Sequence, residues 1–392
     1  MDSRFSLGDR VHLRYVPLDL PGSVRRLSAH GVRVDDLWQL PPVDALVLSG
    51  KGVRGLGGMP PSVRSLTLRD TAVRSLDGLP ATLERLTLVR NGELDPLDPS
   101  KLPRDLVSLT LEGQIVAATP DVPGEAAPAC GGWPCHLRVL RLREVHTGQR
   151  GVPLPAPPAG LSELAADLLS LPSPLELPPD LISLHLRGWE AVDLGALPAS
   201  LRTLTLEGGV GARLDTLVAP VETLAVLGLT GRTLADLSAV PGSVIDLDLS
   251  GSEVGSLAPL PDRLEALTFR RSQLVDLPQL PASLERLDLS SSKSLTSLGN
   301  LAMLPQLVEL RIRGTAVGST AGLPESLKVL DLTATPISRL QALPPESEAL
   351  PPDLEELHFG QYQLESLEGL PDSVTRLVIE DQARPPADAG AP

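Results

Sequence analysis

Asp246 and Asp248 stand two residues apart, and Asp288 and Asp331 lie further along the same chain. Paired carboxylates can do general acid–base chemistry or bind calcium. Here they alternate with leucine, which puts both on one face of an extended strand, and no glycine-bearing calcium loop accompanies them. Arg270 and Arg286 fall close by in the same pattern, so cross-strand ion pairs are the expected role. Cys130, Cys135, His136 and His146 form a second group. A zinc site needs four ligands in suitable geometry, and C-x4-C-H matches no established spacing. A cysteine nucleophile needs a positioned base and a lowered pKa, and nothing near these residues specifies either. Metalloprotease, P-loop, serine-hydrolase and dinucleotide signatures do not occur. Glycines such as Gly251 and Gly314 read as turn positions. The expectation is no catalytic site, no metal site and no cofactor.

The bulk composition narrows the class further. Hydrophobic residues make up 42% of the 392, but aromatics only 2%, so a core mixing many side-chain shapes is not on offer. A core of stacked leucine is. The 40 prolines would suggest disorder if they were scattered, but they recur at a fixed phase. The formal charge of −15 disfavours nucleic acid and anionic membrane surfaces as partners. Two cysteines are too few for a disulfide framework and fit a reducing compartment. Asp2, Arg4, Asp9 and Arg10 interrupt the N-terminus, so no signal peptide and no membrane insertion are expected.

What organises these residues is a repeat: L-P-x-S-L-x-x-L-x-L-x-x-(S/T)-x-(L/V)-x-x-L-x-x. It begins at residues 20, 39, 59, 79, 102, 133, 157, 177, 197, 220, 240, 260, 280, 303, 323, 350 and 370. Its L-x-L pair points two leucines, such as Leu287 and Leu289, to one side of a short strand and Arg286, Asp288 and Ser290 to the other. One such strand cannot bury its apolar face alone, so neighbours must stack in parallel. The remaining ten or so residues carry proline, which blocks helix. The expected fold is mainly β: a leucine-rich-repeat solenoid of about 17 repeats, with a long parallel concave sheet and an extended, polyproline-like convex side with little helix.

Repeats such as LPASLERLDLSSSKSL, LPATLERLTLVRNGEL and LPESLKVLDLTATPISRL resemble the short L-P-x leucine-rich repeats of bacterial virulence effectors, some delivered by type III secretion and some joined to a ubiquitin-ligase domain. The resemblance spans about residues 20–382. It implies a protein-binding solenoid, and a secreted, type III-like route into a host cell as one localisation beside the cytoplasm. No ligase domain is expected after residue 382. The family has asparagine after the strand, tying adjacent turns together. Asn91 is the clear instance here, while Thr71, Ser252, Ser272, Ser292, Thr315 and Thr335 hold that slot elsewhere, with Lys51, Trp189, Arg232 and Tyr362 also in it. A hydroxyl can still bond one backbone group.

The partner-binding candidates are the outward strand positions: Arg141, Arg143, His185, Arg187, Asp246, Asp248, Arg270, Arg286, Asp288, Arg311, Arg313, Asp331 and His358, in a wider row that includes Arg69, Arg85, Glu309 and Glu356. The expected domains are an N-terminal cap strand within residues 1–19 (Val11, Leu13 and Tyr15 alternate there), the solenoid over 20–382 with insertions near 115–132, 143–157 and 343–350, and a disordered tail at 383–392. The 115–132 insertion reads equally as a recognition loop or a tolerated excursion. Three functions stay open: a non-enzymatic scaffold holding a partner protein on its concave face, a targeting subunit for a ligase or other enzyme on another chain, or an intracellular repeat protein unrelated to virulence.

Overall fold

A computed structural model of the protein describes residues 4–7, 23–31, 37, 40, 42–117, 129–147, 152, 154–167, 176–188, 194–208, 217–228, 237–254, 256–299, 301–340, 350–361 and 364–380. The chain divides into two compact units, Met1–Gly188 with Pro198–Leu201, and Trp189–Leu197 with Arg202–Pro392. The described part of the first contains nine strands: β1 (Arg4–Leu7), β2 (Arg26–His30), β3 (Ala45–Ser49), β4 (Ser65–Arg69), β5 (Arg85–Val89), β6 (Ser108–Glu112), β7 (Val139–Arg143), β8 (Glu163–Asp167) and β9 (Ser183–Arg187). That of the second contains nine more: β10 (Thr203–Glu207), β11 (Thr223–Leu227), β12 (Asp246–Asp248), β13 (Ala266–Thr268), β14 (Arg286–Asp288), β15 (Glu309–Arg311), β16 (Val329–Asp331), β17 (Glu356–Gly360) and β18 (Arg376–Glu380).

Within each unit consecutive strands pair in parallel, with the repeat's leucines in register. In the first unit Leu27, Leu46, Leu66, Leu86, Leu109, Leu140, Leu164 and Leu184 form one row. In the second, Leu204, Leu224, Leu247, Leu267, Leu287, Leu310, Leu330, Leu357 and Leu377 form another. All are buried except Leu377, on the last described strand, which is 40% exposed. Burying one leucine contributes about 1.5–3 kcal/mol, and in this geometry only the adjacent repeat can bury it. No α-helix occurs among the described residues; short 3-10 turns at Pro99–Lys101, Ala129–Gly132, Leu194–Ala196 and Leu301–Met303 interrupt extended chain.

The L-P-x-S-L segment is a turn with a fixed bonding scheme. The proline carbonyl accepts the N–H three residues on, as from Pro80 to Leu83 at 3.1 Å and from Pro281 to Leu284 at 3.1 Å. The serine hydroxyl donates back into the preceding repeat: Ser62 to Val43 O at 2.9 Å, Ser283 to Leu264 O at 2.7 Å and Ser373 to Leu354 O at 2.8 Å. That serine fastens repeats together, a role the sequence reading did not assign to it.

Two expectations need correction. The repeat placed at residue 220 starts at Leu217, because Thr203 pairs with Thr223 and Thr223 with Asp246. The longer step therefore follows β11 instead of preceding it, and the motif's Pro position is Val218 there, with Pro220 belonging to the turn. The cysteines are not free: Cys130 and Cys135, with Cα atoms 5.4 Å apart, form a disulfide. It closes one local turn next to buried Trp133, whose Nε1 donates to Pro155 O at 3.2 Å, and joins no two repeats. Val11, Leu13, Tyr15, Trp189, Arg232, Tyr362, the 383–392 tail, and most of the 115–132 and 343–350 insertions lie outside the described residues. The sheet register resumes after the first insertion, where β6 pairs with β7.

Candidate binding face

The outward rows of each unit carry the candidate residues, and the structure sorts them by what they already bond. In the second unit three aspartates serve their own backbone. Asp248, Asp288 and Asp331 accept the N–H two residues on, from Ser250 at 2.8 Å, Ser290 at 2.9 Å and Thr333 at 2.9 Å. Their strands β12, β14 and β16 stop at that aspartate. Asp288 also takes both Nε (2.8 Å) and Nη2 (2.7 Å) of Arg270, a forked cross-strand pair of the kind that favours arginine. Asp246 is the exception. Burial on the face, reinforced by the neighbouring Asp248, raises its pKa against the opposing pull of Arg286.

Other charges on this face are paired too. Arg311 meets Glu309 at 2.5 Å, and His358 meets Glu356 at 2.5 Å, a contact that holds the Glu356 carboxyl below its usual pKa. Arg376 also reaches Glu356, at 3.1 Å. Arg313 bonds Glu380 three strands away, and Thr333 and Gly360, the matching positions between, are small enough to be crossed. Arg286 lies 3.6 Å from Glu285, its chain neighbour.

In the first unit the structure brings Arg141, Arg143, His185 and Arg187 around one hollow of about 220 Å³ over β6–β9. The sheet register explains the hollow. Ala165 sits between Arg141 and His185 in one outward row, so two long side chains flank a methyl group. The strand's inward fourth position is Ala166, where β3–β7 and β9 have leucine. The next outward row runs Glu112, Arg143, Asp167, Arg187.

The carboxylates in and beside the hollow are engaged: Glu112 with Arg90 at 3.1 Å, Asp167 with the Glu144 N–H at 2.6 Å, and Glu163, next to it, with Arg141 at 2.6 Å. The Arg143 guanidinium makes no ion pair with a described residue. Sequence reasoning named the four basic residues but missed Ala165, which makes the space, and the partners Glu163 and Asp167. The signal was present in ELAAD, a strand with alanine where its neighbours have leucine. Arg69 and Arg85 lie on β4 and β5, outside the hollow.

Elsewhere, His136 lies 3.3 Å from Asp105. Among the described residues no group of three or more His, Cys, Asp or Glu side chains is placed to hold a metal ion. No described helix is long and apolar enough to cross a membrane.

No protein-family model and no curated protein matches the sequence, but solved structures do. YopM from Yersinia enterocolitica superposes with a TM-score of 0.51 at 24% identity, over 96% of this chain and 91% of its own. A leucine-rich-repeat protein of Leptospira interrogans superposes at 0.53 with 17% identity, over 92% and 97%. The fold is the leucine-rich-repeat fold. A chain of the mouse RP105/MD-1 complex carries it as well, at 0.52 with 15% identity over 95% of this chain and 66% of that one. At such identities the likeness concerns the backbone alone, and the leucine-rich-repeat scaffold supports many unrelated sites. The charges on the strands must carry any functional argument.

Proposed function

We propose that the protein is a non-enzymatic scaffold that holds a partner protein on the outward rows of its strands. The observation that carries this reading is the hollow bounded by Arg141, Arg143, His185 and Arg187, a shaped and charged recess on a backbone made rigid by parallel pairing. Recognition works best from rigid elements, and a recess among paired charges is a place for a partner's side chain. The mouse RP105/MD-1 complex supports the idea that this fold suits protein capture. Outward residues of the second unit, Arg311 and His358 among them, extend the candidate surface.

The test is affinity capture from host and bacterial lysates, read by mass spectrometry, with wild type beside two variants. One reverses the hollow (Arg141→Glu with Arg143→Glu). The other reverses Arg104, an exposed turn residue away from the strands' outward rows. Loss of the same specific protein in the first variant but not the second is the expected result. Equal capture by all three would overturn the reading.

A second reading rests on the L-P-x repeat, which resembles that of secreted virulence effectors: the captured partner is a host protein, reached by a type III-like route. Translocation of a reporter fusion from a type III-competent strain, compared with a secretion-deficient one, decides this. Recovery of ligase machinery in the capture experiment would instead support a targeting subunit.

A further inference from the structure

Every carboxylate around the Ala165 hollow has a partner within the protein, while Arg143 presents five N–H donors that meet no acidic side chain among the described residues. We propose that the hollow seats one side-chain carboxylate, a Glu or Asp on an extended segment of a partner protein, received by the Arg143 guanidinium. This rests on the binding reading above and names the chemistry of its partner.

Three features select that occupant. The first is size: a space of about 220 Å³ floored by a methyl group admits a single side chain and not a folded surface. The second is charge number. Arg143 lies between Glu112 and Asp167 in its row, so an incoming monoanion meets a guanidinium with no ion pair among the described residues, whereas a phosphate dianion would bring twice the charge against the same two flanking carboxylates. The planar fork of the guanidinium also matches a carboxylate with two parallel hydrogen bonds. The third is the whole chain's charge of −15, which repels a run of acidic residues. A lone carboxylate flanked by neutral or basic residues satisfies the local cation without opposing that field.

The experiment uses the full-length protein with ¹³C-methyl alanine labelling, so that the Ala165 methyl reports directly from the floor of the hollow. Three blocked peptides are titrated: acetyl-Gly-Glu-Gly-amide, its Gln counterpart and its phosphoserine counterpart. The expected result is a saturable Ala165 shift with the Glu peptide, at least about tenfold weaker with Gln, the factor for roughly 1.4 kcal/mol, and no tighter with phosphoserine. Arg143→Gln, an exposed position whose change leaves the unfolding profile unaltered, abolishes the shift. Ala165→Leu, which fills the space, abolishes binding read at the other alanines. Arg104→Gln leaves the titration unchanged.

Equal response to Glu and Gln, tighter binding of phosphoserine, no response to any peptide, or a response that survives Arg143→Gln would each overturn the proposal. Its failure is distinguishable from that of the broader reading. If the peptides give nothing while the doubly reversed variant still loses its captured protein, the carboxylate is wrong and the binding face stands.

Discussion

Replacing Ser292 by alanine isolates what holds one repeat to the next. Its hydroxyl, fully buried, accepts from Ser272 N at 3.1 Å and Ser272 Oγ at 2.9 Å, and donates to Phe269 O at 3.3 Å. One oxygen thereby uses both lone pairs and its proton. Asn91 serves the same backbone positions in the first unit: Oδ1 accepts from Thr71 N at 3.0 Å and Oγ1 at 2.7 Å, and Nδ2 donates to Leu68 O at 3.1 Å. Ser292→Ala strands a buried N–H and a buried carbonyl. Each such group costs about 1–3 kcal/mol, so a loss of about 2–6 kcal/mol is expected. Thr315 occupies the equivalent slot but bonds only Ile312 O, at 2.8 Å, a carbonyl that already accepts Thr315 N at 3.2 Å. Thr315→Val orphans no backbone group and should cost under about 1 kcal/mol. Ser292→Asn should recover most of the stability. Both sites lie in the second unit, so equilibrium urea unfolding followed by far-ultraviolet circular dichroism reads them against one background. If Ser292→Ala and Thr315→Val unfold together within about 0.5 kcal/mol, a typical surface-mutation spread, or if Asn is no better than Ala, the slot does not work by bridging repeats.

Other consequences follow from the same geometry. Leu287→Ala removes a leucine covered on both sides and should cost about 3 kcal/mol in urea unfolding, whereas Leu377→Ala on the last described strand should cost about 1 kcal/mol; equal losses would mean that neighbours do not provide the cover. Ala334 has φ of 59°, a left-handed conformation costing a residue with a Cβ about 1–2 kcal/mol, so Ala334→Gly should raise the melting temperature despite glycine's larger unfolded-state entropy. Asp246 has a raised pKa in the folded protein, so the native state binds the proton more tightly than the unfolded chain does. Stability then falls as pH rises from the ordinary carboxylate range through the folded pKa. Asp246→Asn should accordingly stabilise the protein at neutral pH and lose that advantage at pH below that window. A gain that persists unchanged in acid would point to a cause other than burial of the charge.

The fold was legible because the leucine spacing has only one way to be buried. A period of two within each strand, repeated at near-constant intervals, forces parallel stacking, and from β2 onward every described strand carries the leucine of that row, while β1 (RFSL) precedes the first repeat and pairs with β2. The error at residue 220 shows the limit of reading by motif. Proline does not mark the phase there; the physical marker is the leucine row, and Leu224 pairing with Leu204 and Leu247 sets it. The Cys130–Cys135 bridge was missed because cysteine counting asks whether a chain is stapled overall, not whether a turn brings two neighbours together. Candidate residues were legible as outward positions and no further. A sequence shows that Asp288 and Arg143 both face outward. It does not show that Asp288 is spent on Ser290 N and Arg270, nor that Arg143 stands over an alanine.

That difference between facing outward and being available decides where recognition can occur. Strand positions on a leucine-rich repeat are polar because water or a partner must meet them, so polarity alone selects nothing. An outward aspartate that accepts its own backbone N–H is held in place, and a ligand competing for it must first leave an amide, buried at Ser290 and Thr333 and part-buried at Ser250, unpaired. Asp248, Asp288 and Asp331 are therefore costly to recruit, and the ion pairs at Arg270, Arg311 and Arg313 must be exchanged before those guanidinium groups can bind anything else. A guanidinium with no ion pair among the described residues, set beside a recess, carries no such cost. On this accounting the second unit's denser charges rank below Arg143 and the Ala165 hollow, although both regions look alike when outward residues are merely counted.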